Sequence, residues 1–286
     1  MPSGSCLCGT VAYELDEPLQ QLVHCHCSMC RKNHGALFGS FVKSPGLHWV
    51  NGASHVARYE SSKGFHRCFC NRCGSVLPDE SDGEEGVFAP AGGLDQPLDL
   101  RPEKHIFVDS KAPWYEIPDQ LPQMQEYGAP AELALTCVFQ EDRSNAHEHF
   151  IAGSCLCGDV TFRYPSGGSK LMMFCHCSRC RKVKGAAHAA NVFVEPGDFE
   201  WLKGEESITV FDLPEAERFG NSFCTRCGSS VPRKSSNSPM WNIPVGSLDD
   251  DPCIGPKGHI YVGSKADWFE ITDNLRRYEE MPADLM

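Results

Sequence analysis

The chain reads CHCSMCRK at Cys25–Lys32 and CHCSRCRK at Cys175–Lys182. Three cysteines in the order Cys-x-Cys-x-x-Cys bring three thiols within reach of one metal ion, because closely spaced cysteines supply several ligands from one turn. The surroundings recur as well. GSCLCG stands at Gly4–Gly9 and again at Gly153–Gly158. FCNRCGS at Phe69–Ser75 returns as FCTRCGS at Phe223–Ser229, and HIFVDSKAPWYEI at His105–Ile117 as HIYVGSKADWFEI at His259–Ile271. The separation of matched blocks grows only from 149 to 154 residues along the chain. Four blocks in one order identify a duplicated domain of roughly 120–130 residues. The expected layout is copy one over 1–130, a linker over 131–149 and copy two over 150–286. The linker begins with the apolar run AELALTCVF and turns polar and charged.

Strand signals dominate each copy. Val11, Tyr13 and Leu15 alternate with polar residues, as do Val160, Phe162 and Tyr164, and His55–Tyr59 and Ser207–Phe211 are short β-rich runs. Helical candidates are confined to the tails Asp119–Tyr127 and Asp273–Met281. The fold class is therefore mainly β with few short helices, and metal is a plausible support for domains with so modest a core.

The copies share seven cysteines each, enough for one closed site of four and one site of three that keeps a position open. Spacing alone does not group them. The triplets Cys25, Cys27, Cys30 and Cys175, Cys177, Cys180 can each cap one metal face unaided. That leaves Cys6, Cys8, Cys70 and Cys73 to meet in copy one, and Cys155, Cys157, Cys224 and Cys227 in copy two. Cys68 aligns with Ser222 and is set aside as a shared ligand, and Cys137 and Cys253 also lack counterparts. Thiolate-rich sites suit zinc, with iron–sulfur as the competing reading. The chain holds 17 cysteines, and in a reducing compartment such density points to metal before disulfides. No run approaches the length of a membrane helix, and the N-terminus has no secretory pattern, so a cytoplasmic or nuclear protein is expected. A formal net charge of −12 argues against a nucleic-acid partner, whose phosphates need clustered cations.

This order of motifs resembles the glutathione-dependent formaldehyde-activating enzyme family, which includes centromere protein V. The resemblance covers nearly all of both copies except the linker. It implies an all-β, zinc-bearing β-tent fold, with a structural zinc on the outer cysteine pairs and a catalytic zinc on the central triplet. Two zinc ions per domain, four per chain, would result. It also implies carbon–sulfur lyase or thiol–aldehyde adduct chemistry, with glutathione as co-substrate and a small thiol, aldehyde or glutathione conjugate as partner. Arg31, Lys32, Arg181 and Lys182 are candidates to pair with glutathione carboxylates, against the plainer reading of a solvated basic turn or compensation for anionic zinc–thiolate clusters. His26 and His176, between ligands, are read as hydrogen-bonding to the ligand shell or shuttling protons. His105, His259, Trp114 and Trp268 are read as structural, and Ser75 and Ser229 as partners of sulfur or backbone. The segment after the triplet, NHGALF in one copy and VKGAAH in the other, departs from the SGAxF often found in the family, which leaves the equivalence of the two sites open. A non-catalytic zinc-binding interaction module, and zinc buffering or redox sensing, are the competing classes.

Overall fold

A computed structural model describes residues 1–80, 86–127, 150–234 and 239–282; the expected linker and Cys137 lie outside the described residues. The fold is mainly β. In copy one, Ser3–Ser5, Ala12–Leu15 and Leu47–Asn51 form a three-stranded antiparallel sheet. Pro102–Ile106, Leu22–Cys25, Gly39–Ser44 and Val87–Pro90 form a four-stranded one, and Val56–Ser62, Phe65–Cys70 and Val76–Leu77 a third. Copy two repeats the plan: Phe150–Ser154, Thr161–Pro165 and Glu200–Lys203 pair, as do Ile208–Asp212 and Gly220–Cys224. Its larger sheet gains edge strands Arg233–Lys234 and Arg276–Tyr278. The alternating residues read from the sequence are the buried ones: Val11, Tyr13, Leu15, Val160, Phe162 and Tyr164 are each 1% exposed or less. Trp268 is buried, and Trp114 is half-buried against the same core.

The helices are not where the sequence suggests. Asp119–Tyr127 and Asp273–Met281 contain none. The Asp119 and Asp273 carboxylates instead accept the N–H of Leu121 and Leu275, each at 2.9 Å, turning the chain. Beyond each turn the chain runs beside a strand: Gln123 bridges His105 in parallel, and Arg276–Tyr278 pairs in parallel with Gly258–Ile260. Among the described residues the α-helices are α1 (Ser28–His34) and α2 (Ser178–Lys184), which begin inside the cysteine triplets.

The copies dock reciprocally, and one core cluster takes residues from both. Lys32 reaches Asp249 at 2.6 Å and the Ser154 hydroxyl at 2.8 Å; Lys182 makes the mirror-image ion pair with Asp95. Phe69 meets Phe223 edge-on across the same join, centroids 6.0 Å apart. His34 Nδ1–H donates to the Lys184 carbonyl at 2.5 Å. The lysine–aspartate pair appearing twice, with roles exchanged, is the signature of an isologous two-fold interface.

Close approach at this join requires glycine. A Cβ on Gly246 would stand 2.1 Å from the Arg31 carbonyl oxygen and 2.5 Å from the Ala36 nitrogen. A Cβ on Gly92 would stand 2.4 Å from the Ala186 oxygen. These are backbone atoms, so the clash is relieved only by moving a copy. Gly246→Ala is therefore expected to cost about 1–3 kcal/mol in denaturant unfolding. Gly167→Ala, where an added Cβ meets nothing within 4 Å, is expected to be neutral or slightly stabilising.

Candidate metal centres and the buried histidine chains

The four-cysteine sites close where two tight turns meet. Cys6 N–H donates to the Val11 carbonyl at 2.9 Å, and Gly9 N–H returns to the Cys6 carbonyl at 3.0 Å. Cys70 N–H pairs with the Ser75 carbonyl, and Gly74 N–H with the Cys70 carbonyl, at 2.9 and 2.8 Å. Both turns aim their sulfurs at one point. Cys8 Sγ lies 3.5 Å from Cys6 Sγ and 3.9 Å from Cys70 Sγ; the matching distances in copy two are 3.4 and 3.7 Å. Tetrahedral zinc with Zn–S bonds of about 2.3 Å requires sulfurs about 3.8 Å apart, so the donor set fits that ion. The Ser75 hydroxyl lies 3.3 Å from Cys73 Sγ and accepts the Leu7 N–H at 3.0 Å; Ser229 does the same for Cys227 and Leu156. Cys68 joins neither cluster. Its thiol, pushed up by burial, faces Asp79 at 3.4 Å.

The triplets Cys25, Cys27, Cys30 and Cys175, Cys177, Cys180 form separate clusters, with all sulfurs of each within 4.8 Å of one another. The strands Leu22–Cys25 and Ser169–Cys175 deliver the first ligand, and α1 and α2 the last. Cys27 Sγ caps α1 by accepting the Cys30 N–H at 3.3 Å, and Cys177 caps α2 likewise at 3.4 Å. Hydrogen bonds from Cys25 and Cys30, followed by that amide, hold the Cys27 thiol far below its ordinary range. Among the described residues, each cluster has one donor fewer than the tetrahedral four.

Behind each triplet lies a buried chain that the sequence reading did not anticipate. The parallel pairing of Pro102–Ile106 with Leu22–Cys25 sets Ile106 beside Cys25. His105 Nδ1 thereby comes 2.8 Å from His26 Nε2, and His105 Nε2 lies 3.0 and 3.1 Å from the two Asp119 oxygens. In copy two His176, His259 and Asp273 repeat the chain at 2.8, 3.0 and 3.0 Å. Burial opposes ionisation of Asp119, but the His105 hydrogen bond holds its carboxyl below the usual range. Burial drives His26 well below the ordinary imidazole range and His176 to about 2. A neutral imidazole has one donor and one acceptor nitrogen. An ionised Asp119 takes the Nε2–H of His105, so His105 Nδ1 accepts from His26 Nε2–H. His26 Nδ1 is left as a bare, buried acceptor, and neither it nor His176 Nδ1 has a hydrogen-bond partner among the described residues. Asp119 and Asp273 carry no motif of their own; their equal spacing of 14 residues from His105 and His259 was the available signal.

The four basic candidates divide. Lys32 and Lys182 are engaged across the join. Arg31 donates to the Ser110 carbonyl at 3.3 Å, and Arg181 to the carbonyls of His176 and Ser264 at 3.3 and 3.2 Å. Residues beside the triplets that the sequence reading passed over are Arg67, whose Nη1 lies 3.5 Å from Cys30 Sγ, and Lys184, buried beside Cys180.

Zinc content of purified protein is expected at about four per chain. Cys6→Ala should unfold copy one on loss of its ion, whereas Cys25→Ala should keep the circular-dichroism spectrum and drop the content by about one. Buried neutral histidines also set an acid limit. Burial holds His188 at about 3 in the folded state, so the unfolded chain binds the proton first and stability falls as pH drops below about 6.5, by about 1.4 kcal/mol per unit per group. His188→Phe, which copies Phe38 at the matching position, should flatten that decline in denaturation midpoints measured between pH 6.5 and 4.

The profile of the glutathione-dependent formaldehyde-activating enzymes matches residues 1–110 and 150–264. A Halomonas elongata protein named "Putative glutathione-dependent formaldehyde-activating enzyme" is 30% identical over 129 residues, 42% of this chain and 80% of its own. A Rhodobacter sphaeroides protein of known crystal structure aligns at 22% identity and a TM-score of 0.28, over 35% of this chain and 89% of its own. With matches spanning both copies, the chain belongs to the glutathione-dependent formaldehyde-activating enzyme family.

Proposed function

We propose that the protein is a zinc-dependent enzyme that joins the sulfur of glutathione to an aldehyde, or cleaves the carbon–sulfur bond of such a conjugate. The observation that carries this reading is the three-sulfur cluster, one donor short of four, with a buried Asp–His–His chain ending on the residue between two of its ligands. A zinc ion held by either triplet would supply Lewis acidity and a place for a thiol to bind. His26 Nδ1 and His176 Nδ1 are the proton acceptors. Asp119 and Asp273, through His105 and His259, fix the tautomer that leaves Nδ1 free of its proton. The thiol proton passes to Nδ1, the sulfur forms a bond to the aldehyde carbon, and the carbonyl π pair moves to oxygen, which takes the proton back. In the reverse direction the hydroxyl proton leaves, the carbonyl re-forms and the C–S bond breaks with its electron pair on sulfur.

The family match and the H. elongata relative's name support glutathione and formaldehyde as the first pair to try. The proposal puts the protein in a reducing compartment, cytoplasmic or nuclear, where the 16 free cysteines described stay available to metal. No described helix is long and apolar enough to cross a membrane, and the charge of −12 gives nucleic acid no support as a partner.

The test is adduct formation from glutathione and formaldehyde, followed by NMR against the spontaneous reaction, then larger aldehydes and the reverse cleavage of conjugates. Turnover above background is expected, and His26→Gln together with His176→Gln should lower kcat by about a hundredfold with little change in glutathione affinity. Rates equal to background across the whole panel would refute the enzyme reading.

A further inference from the structure

The two triplet centres share their ligands and differ in what faces them. In copy one the Arg67 guanidinium stands over the cluster, 3.5 Å from Cys30 Sγ. Phe41, Phe107 and Met124 pack against the buried cluster that holds Cys25 and Cys30, as Phe193, Tyr278 and Met281 do against that of Cys175, and His34 meets Phe41 edge-on at 5.1 Å. Cys30 is buried; its counterpart Cys180 is half-buried.

In copy two a cavity of about 150 Å³ opens beside Cys175 and Cys180. The polar and aromatic groups that crowd copy one from the sheet and α1 are replaced there. Asn191 stands where copy one has Phe41, each opposite a proline in its sheet. Asn221 replaces Arg67 and is drawn aside, its amide donating to the Cys73 carbonyl at 3.0 Å and its carbonyl accepting from Ser230 at 3.3 Å. Lys184 replaces His34 and Arg233 replaces Asp79. Both line the cavity, as does Arg218, and among the described residues no carboxylate does. Arg233 is held at 2.5 Å by the exposed Asp212, with its buried Nε left without an acceptor. Lys184 is 6% exposed. Cations around a small cavity on the flank of a sulfur cluster suit a ligand that brings both a thiol and a negative charge.

We propose that copy two is the substrate-receiving copy, that Lys184 and Arg233 select thiols bearing a carboxylate, and that Arg67 caps the centre of copy one against such ligands. The proposal rests on the thiol-binding reading and adds which copy binds and what it selects. Lys184 and Arg233 are specificity residues: they meet the carboxylate, while the reacting atoms lie at the cysteine cluster.

The test uses the full chain loaded with cobalt(II), whose visible absorption reports a thiol arriving at a cysteine-bound centre. Cys27→Ala leaves copy two's triplet as the only one intact, and Cys177→Ala leaves copy one's. Each is titrated with three thiols of similar size: 3-mercaptopropionate, 2-mercaptoethanol and cysteamine. Cys27→Ala protein should respond, binding 3-mercaptopropionate at least about tenfold more tightly than the other two. Cys177→Ala protein should respond only weakly until Arg67→Ala is added. Lys184→Gln in the Cys27→Ala background should remove the anion preference and leave 2-mercaptoethanol binding unchanged. Lys184→His, the residue of copy one, serves if that variant loses its cobalt. Equal responses from the two centres, or thiol binding without charge preference, would overturn this inference and leave the thiol-binding reading standing. No response to any thiol at either centre would sink both.

Discussion

The helix that leaves each cysteine triplet is pressed against a turn of the opposite copy so closely that the turn has no room for a side chain. Gly92 and Gly246 sit in these turns, and the atoms they face belong to the backbone of the segments around α2 and α1. The same segments carry the last sulfur of each triplet and the lysines that cross the join, Lys32 and Lys182. Sulfur clusters, interface and shared core are therefore one piece of structure. A shift of the join would displace α1 and α2 and with them the geometry of the three-sulfur clusters.

The cysteine clusters and the two family segments were legible because both are written in residue type and order. Sulfur ligands must be cysteines, their turns must be tight, and the repeat separates shared ligands from Cys68. The helices were hidden for a physical reason. Each is seven residues long and is capped by a cysteine sulfur in place of the usual Ser, Thr, Asp or Asn. The tails that read as helices contain an aspartate whose carboxylate satisfies the backbone two residues on and a histidine elsewhere in the fold. Lys32 and Lys182 read as ligand contacts because the sequence does not say what lies opposite them. Their partners belong to the other copy.

The buried histidine and phenylalanine pairs show how the copies have drifted while keeping one volume filled. Copy one places His24 beside Phe38, and copy two places Phe174 beside His188, with ring centroids 4.6 and 4.8 Å apart. The aromatic pair is kept and its chemistry reversed. Phe38 and His188 then touch each other across the join, edge to face at 5.6 Å. The Asp–His–His chains, by contrast, agree within 0.1 Å in every hydrogen bond. Packing tolerates exchange of rings of similar size, whereas a chain of hydrogen bonds depends on one nitrogen facing another.

The reciprocal join has a consequence for how such a molecule can change. In a dimer of identical chains each substitution appears twice, so a residue that opens one cavity opens its twin, and a residue that seals one seals both. Here the two halves are encoded separately while the surface between them still matches itself. Arg67 and Asn221 could part ways without disturbing the Lys32–Asp249 and Lys182–Asp95 pairs that hold the halves together. Covalent linkage turns a symmetric assembly into one whose two sites mutate independently.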